Sequence, residues 1–112
     1  MTARSPGPEG LFTVRIEEDG ASLAVHAAGE LDIATAQTLE ETLRHALDGD
    51  VASIVLDVAE VSFIDSWGLR VLLRAAAHSR ANGDVLRIRC GSGVVRRMLD
   101  VTGMDDRLPL TV

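Results

Sequence analysis

The stretch Ile54-Val55-Leu56-Asp57-Val58-Ala59-Glu60-Val61-Ser62-Phe63-Ile64-Asp65-Ser66-Trp67-Gly68-Leu69 decides how the rest of the chain folds. Residues 54–58 form an apolar run rich in β-branched side chains and too short for a free-standing helix. That is the pattern of a central strand buried on both faces. A loop is expected next, tied down by Val61, Phe63 and Ile64. Asp65-Ser66 then precedes a long helical pattern beginning at Trp67, which puts Ser66 at the N-cap position. A hydroxyl there lies beside unpaired backbone N–H groups at the positive end of the helix dipole, a place suited to holding a phosphate.

Downstream, the helix is expected to run from Trp67 to about Asn82. Leu69, Leu72, Leu73 and Ala76 face inward, Arg70, Arg74 and Arg80 face outward, and Asn82-Gly83 stops it. Val85 to Cys90 reads as a strand. Ser92 caps a short helix carrying Val94, Val95, Met98 and Leu99, closed by Gly103. Leu108 to Val112 reads as an edge strand, because Pro109 has no N–H to give a central ladder.

Upstream, Leu11 to Glu17 and Leu23 to Ala27 both alternate, and Asp19-Gly20 between them is a turn signal, so the pair reads as a β-hairpin. Gly29-Glu30-Leu31-Asp32 is expected to leave the sheet. Asp32 or Thr35 then caps a helix whose apolar side is Ala36, Leu39, Leu43, Ala46 and Leu47, ended by Asp48-Gly49-Asp50. Residues 1–10, with Ser5-Pro6-Gly7-Pro8, read as a flexible N-terminal tail, and 11–112 as one domain. The fold class that follows is α/β. It is a single-domain mixed sheet of four to five strands, with an N-terminal antiparallel hairpin, packed with three or four helices.

The 112 residues suit one domain with its own core. Asp+Glu number 17 against 11 Lys+Arg, a net charge of −6 and a pI near 4.9. That balance argues against direct nucleic-acid binding and against an anionic membrane, and favours a partner with a basic face. Cys90 is the single cysteine, so no internal disulfide forms. Its alternation with Leu86 and Ile88 makes it a buried small hydrophobe. A reducing, cytoplasmic location is expected, with no membrane insertion and no signal peptide.

Chemistry is sparse. His26, His45 and His78 lie in separate elements without ligand spacing, so no metal is expected. There is no glycine-rich phosphate loop and no nucleophile elbow. Asp32, Asp57 and Asp65 read better as caps on an acidic surface than as a carboxylate cluster. No catalytic residue and no cofactor is therefore assigned, and the chain reads as a non-enzyme. On local pattern alone Ser66 is a cap contributing about 1 kcal/mol. Arg70, one turn into the helix, is either solvated or able to approach a phosphate on Ser66. Trp67, the only Trp, reads equally as buried against the loop or exposed as an interaction anchor.

Three motifs then point to a family. Gly29-Glu30-Leu31-Asp32-Ile33-Ala34-Thr35-Ala36 resembles the segment that opens the first helix of STAS domains (sulphate transporter and anti-sigma antagonist). Ile54 to Val58, followed by Val61-Ser62-Phe63-Ile64-Asp65-Ser66 and Gly68-Leu69, resembles the phosphorylation loop of the same family. Gly91-Ser92-Gly93-Val94-Val95-Arg96-Arg97-Met98-Leu99, with Thr102-Gly103-Met104, is similar to its final helix. The order and spacing match over nearly everything after the tail.

A short, acidic, free-standing version resembles the bacterial anti-sigma factor antagonists. That resemblance implies a partner-switching regulator of sigma factor-dependent transcription. Unphosphorylated, it would bind an anti-sigma factor that is also a serine kinase. Phosphorylation of Ser66 would end the binding, and a serine phosphatase would restore it. The implied partner-binding residues are Asp32, Asp65, Trp67 and Arg70. The family position after the serine is usually small; here it is Trp67. The alternative is a STAS subunit of a transporter or signalling complex working without phosphorylation. A small phosphohydrolase using Asp65 or Asp57 ranks last, since no metal set or general base accompanies them.

Overall fold

The computed structural model describes residues 2–4 and 12–112. Six strands form one sheet in chain order: β1 (Thr2–Arg4), β2 (Phe12–Asp19), β3 (Ser22–Leu31), β4 (Ser53–Ile64), β5 (Leu86–Arg89) and β6 (Leu110–Thr111). β1 and β3 both run antiparallel to β2, and from β3 to β6 every pairing is parallel. Three helices, α1 (Ala36–Asp48), α2 (Ser66–Ala81) and α3 (Val94–Thr102), and a 3₁₀ turn at Asp105–Arg107 complete the fold.

Of the four to five strands and three or four helices expected from the sequence, five strands and three helices are present, and the Asp19–Ser22 pairing closes the hairpin across Gly20. β1 is an addition. Thr2–Arg4 was read as part of a tail, yet it pairs with Arg15, Val14 and Thr13 and covers the otherwise open edge of β2. The rest of that segment, 5–11, lies outside the described residues.

The largest departure is at β4. The segment 59–64, expected as a loop, continues the strand to Ile64. The register against β3 explains why the sequence hid this. His26 pairs with Asp57 but Ala28 with Glu60, and Gly29 pairs with Val61 but Glu30 with Phe63. β4 therefore carries one extra residue at each of two bulges. Buried residues consequently fall at Ile54, Leu56 and Val58, then at three-residue intervals at Val61 and Ile64. A strand that inserts a residue twice loses the period of two by which strands are recognised. Asp57 supports the first bulge by accepting the Ala59 N–H at 2.9 Å. At the second, Gly29 has φ +102°, a conformation that costs glycine little and other residues much. Gly29-Glu30-Leu31 accordingly stays in the sheet.

The core lies between one sheet face and the helices. Val25, Leu31, Ile54, Leu56 and Ile88 meet Leu39 and Leu43 of α1 and Leu72 and Ala76 of α2. Each of the Val, Leu and Ile side chains contributes about 1.5–3 kcal/mol of apolar burial. α1 buries the five residues its spacing announced. α2 buries Gly68, Val71, Leu72, Ala75, Ala76 and Ser79, whereas Leu69 and Leu73 are only half-buried. A stripe of mostly small residues lets α2 lie close to the sheet. The Ser79 hydroxyl is buried but satisfied, accepting the Leu86 N–H at 2.9 Å. α3 starts from Gly93, not from a Ser92 side-chain cap, and Gly103 closes it in the left-handed conformation.

Candidate functional site

β3 and β4 are parallel neighbours, so their C-terminal ends lie at the same edge of the sheet. One leads into the turn before α1, the other into α2. Ligand and partner sites of open α/β sheets form at such an edge. The two connections are tied together, with the Asp65 N–H donating to the Leu31 carbonyl at 3.3 Å.

Before α1, Asp32 Oδ1 accepts the N–H of Ala34 at 2.9 Å and of Thr35 at 3.2 Å. The Thr35 hydroxyl donates back to the Glu30 carbonyl at 2.7 Å and accepts the Asp32 N–H at 3.0 Å. Thr35 holds the N-cap position of α1 without a side-chain cap bond. Asp32 thus organises the turn, and Thr35 anchors it to the strand behind.

At α2 the capping residue is Asp65, not Ser66. Asp65 Oδ1 accepts the N–H of Trp67 at 2.9 Å and of Gly68 at 3.1 Å. The two candidates were adjacent, and both are good caps by type. The carboxylate takes the role because Asp65 is the extended residue between the end of β4 and the helix, whereas Ser66 already begins the helix. The Ser66 hydroxyl is therefore left exposed on the first turn, beside the positive end of the helix.

The segments that lead into α1 and α2 also carry apolar side chains facing solvent. Trp67 is 44% exposed, Phe63 49% and Ile33 65%. Phe63 was expected to pin a loop to the core; the second bulge turns it outward instead. The open question about Trp67 resolves toward exposure. Its ring lies under the Arg70 guanidinium, whose central carbon is 4.9 Å from the ring centroid. A cleft of about 420 Å³ runs from Ile33, in the turn before α1, and Ala36 on α1 to Trp67, Arg70, Val71 and Arg74 on α2. Glu40 and Arg74 bridge the two helices at 3.2 Å. Exposed apolar groups of this kind are unusual on the surface of a lone domain and need an account.

The structure thus brings Ser66, Trp67, Arg70 and Asp65 onto one helix start, with the Asp32 turn beside them. It also adds the exposed Ile33 and Phe63, which the sequence pattern did not mark as surface residues. The signal was an apolar side chain within two residues of a capping acid, Ile33 after Asp32 and Phe63 before Asp65. Local charge differs from the chain's net charge: α2 holds Arg70, Arg74, His78 and Arg80 and no acid. Asp57 belongs elsewhere, on strand β4 within 3.8 Å of both His26 and Arg89. The three acids therefore serve separate structures. Among the described residues no group of His, Cys, Asp and Glu has metal-binding geometry, and no helix is long and apolar enough to cross a membrane.

The sequence profile of the STAS domain matches residues 13–111. The anti-sigma-F factor antagonist RsfB of Mycobacterium tuberculosis is 28% identical over 96 residues, covering 84% of this chain and 76% of the relative. The anti-sigma-B factor antagonist of Bacillus subtilis is 28% identical over 100 residues, covering 89% and 91%. An anti-sigma factor antagonist from Mycobacterium paratuberculosis, of known crystal structure, superimposes with a TM-score of 0.75 at 26% identity, covering 96% of this chain and 89% of that one. With its parallel β3–β4 core and its Asp65-capped second helix, the chain belongs to the STAS domain family.

Proposed function

We propose that this protein is an anti-sigma factor antagonist. Unphosphorylated, it binds an anti-sigma factor that is also a serine kinase, and phosphorylation of Ser66 releases it. The observation that carries the reading is the exposed Ser66 hydroxyl on the first turn of α2, next to the exposed Trp67, whose cleft also takes in the exposed Ile33. Relatives bearing the name antagonist support it.

The physics of the switch is local. Docking buries the exposed Trp67 and Ile33 near Ser66, which drives association. A phosphate adds roughly −1.5 to −2 charge at its centre. Within the protein that charge is well placed at a helix N-terminus. Across a closed interface it must be desolvated with no partner built to receive it. The fold need not change, because Ser66 makes no contact on which the helix depends.

The test is a kinase assay with calorimetric titration of the anti-sigma partner. Ser66→Ala takes no phosphate and binds like wild type, an antagonist that cannot be switched off. Ser66→Glu folds and binds at least tenfold more weakly, about 1.4 kcal/mol. Phosphate landing on another residue, or equal affinity of the phosphorylated and plain protein, would sink the reading.

A further inference from the structure

We propose that Arg70 is the receptor, within the same chain, for a phosphate on Ser66, and that it leaves the Trp67 ring to take that role. The inference rests on the reading that Ser66 is phosphorylated. Ser66 and Arg70 stand four residues apart on α2, so their side chains share a face with Cβ atoms about 5–6 Å apart. Helical side chains lean toward the N-terminus, which sends the long arginine back over the first turn. Arg70 does lie back in this way, since its guanidinium carbon covers Trp67 at 4.9 Å.

Arg74, one turn on, is occupied by Glu40 at 3.2 Å; among the described residues Arg70 is held by the ring alone. A solvent-exposed cation–π contact is a weak hold. A guanidinium on a phosphate is a charge-assisted pair with matching fork geometry, and it is the stronger bond. Asp65 increases the need for a cation, because its carboxylate, bound to the Trp67 and Gly68 N–H groups, stays beside the new phosphate. One modification then has two effects on the docking surface. It places charge at the centre, and it strips the guanidinium cover from the Trp67 ring.

The test uses full-length protein with phosphoserine installed at position 66 during translation, compared with the same phosphoprotein carrying Arg70→Ala or Arg70→Lys. Phosphorus NMR reads the second phosphate ionisation, ordinarily at about pH 6. Its midpoint should lie about 0.3 pH unit or more lower with Arg70 than with Arg70→Ala. Arg70→Lys should fall between, since lysine keeps the charge without the planar fork. Proton NMR should show the Arg70 side chain losing its ring-current shielding on phosphorylation. Superimposable titrations, with Arg70 protons unmoved, would overturn the proposal. Partner affinity on the same samples separates the two readings. Lost binding with an Arg70-independent titration leaves switching in place and removes the clamp. Retained binding with an Arg70-dependent titration keeps the clamp and removes the switch.

Discussion

A β-carbon on Gly68 would lie 2.8 Å from Cγ of Leu31, and equally close to Cγ1 of Ile64. The Leu31 carbonyl oxygen would be 3.0 Å away. The ends of β3 and β4 and the first turn of α2 therefore meet with no side chain between them, and that contact fixes where Ser66 and Trp67 stand. Alanine is the better helix former by about 1 kcal/mol, so propensity alone favours Gly68→Ala. Overpacking a tight core costs about 1–3 kcal/mol, and Leu31 and Ile64 are buried with little room to yield. We expect overpacking to win, with Gly68→Ala unfolding at lower urea than wild type. An equal or higher midpoint would show that the junction relaxes freely.

The Asp65 cap makes a contrast between neighbours. Asp65→Ala orphans the Trp67 and Gly68 N–H groups and should cost about 1–2 kcal/mol. Asp65→Asn should keep most of that stability, since asparagine caps comparably. Ser66→Ala should stay within about 0.5 kcal/mol of wild type, because Ser66 caps nothing. Urea unfolding of the three variants decides the matter. A Ser66→Ala loss matching that of Asp65→Ala would return the cap to Ser66.

How far the sequence could be read follows from where its periods hold. The α1 stripe from Ala36 to Leu47 was legible because the helix is regular throughout. β4 was legible to Val58 and not beyond, because two bulges convert its spacing from two to three. The cap of α2 was missed by one residue, since Asp65 and Ser66 both suit the position and only the strand's end distinguishes them. Phe63 was misassigned because an apolar residue near a strand reads as core until the backbone is seen to turn it outward. The Trp67–Arg70 stack was present as an i, i+3 spacing, but spacing does not say which rotamer the arginine takes.

Glu17 gives a pH signature. Its carboxylate is held below the ordinary value of 4.5, first by His26, with ring nitrogen and carboxylate oxygen 2.7 Å apart, then by Arg15 at 3.1 Å. A carboxylate depressed in the folded state adds stability above its ordinary value and loses it as pH falls through the folded value. The stability difference between wild type and Glu17→Gln should therefore be level down to about pH 4.5 and close below it. Glu17 is exposed, so the difference should be small and should shrink in salt. Melting temperatures of both proteins across this range, at low and high salt, test it. A gap that widens in acid would reverse the sign.

Cys90 is 3% exposed, and burial pushes its thiol above the ordinary range. Since the thiolate is the reactive form, Cys90 should react with a disulfide reagent only as fast as the fold opens. Rapid labelling of the native protein at neutral pH would contradict that burial.

Trp67 separates contact from stability. At 44% exposure, beside Ser66 and over the cleft to α1, it contributes little to the core. Trp67→Ala should lower the unfolding midpoint far less than truncation of a fully buried aromatic would, since it removes the exposed Arg70 contact and only partial burial. The same change should weaken the anti-sigma complex by more than about 1 kcal/mol, because a half-exposed aromatic ring in a docking surface is a hot-spot type. Tryptophan emission should shift on complex formation and report the same event directly, since the chain has no other Trp. Arg70→Ala is the useful companion. If the ring itself is the anchor, uncovering it should cost less affinity than removing it. Calorimetry on both variants, with urea unfolding as the control, separates these roles. Unchanged affinity in a folded Trp67→Ala protein would take Trp67 out of the interface, and a large drop in stability would make it a packing residue instead.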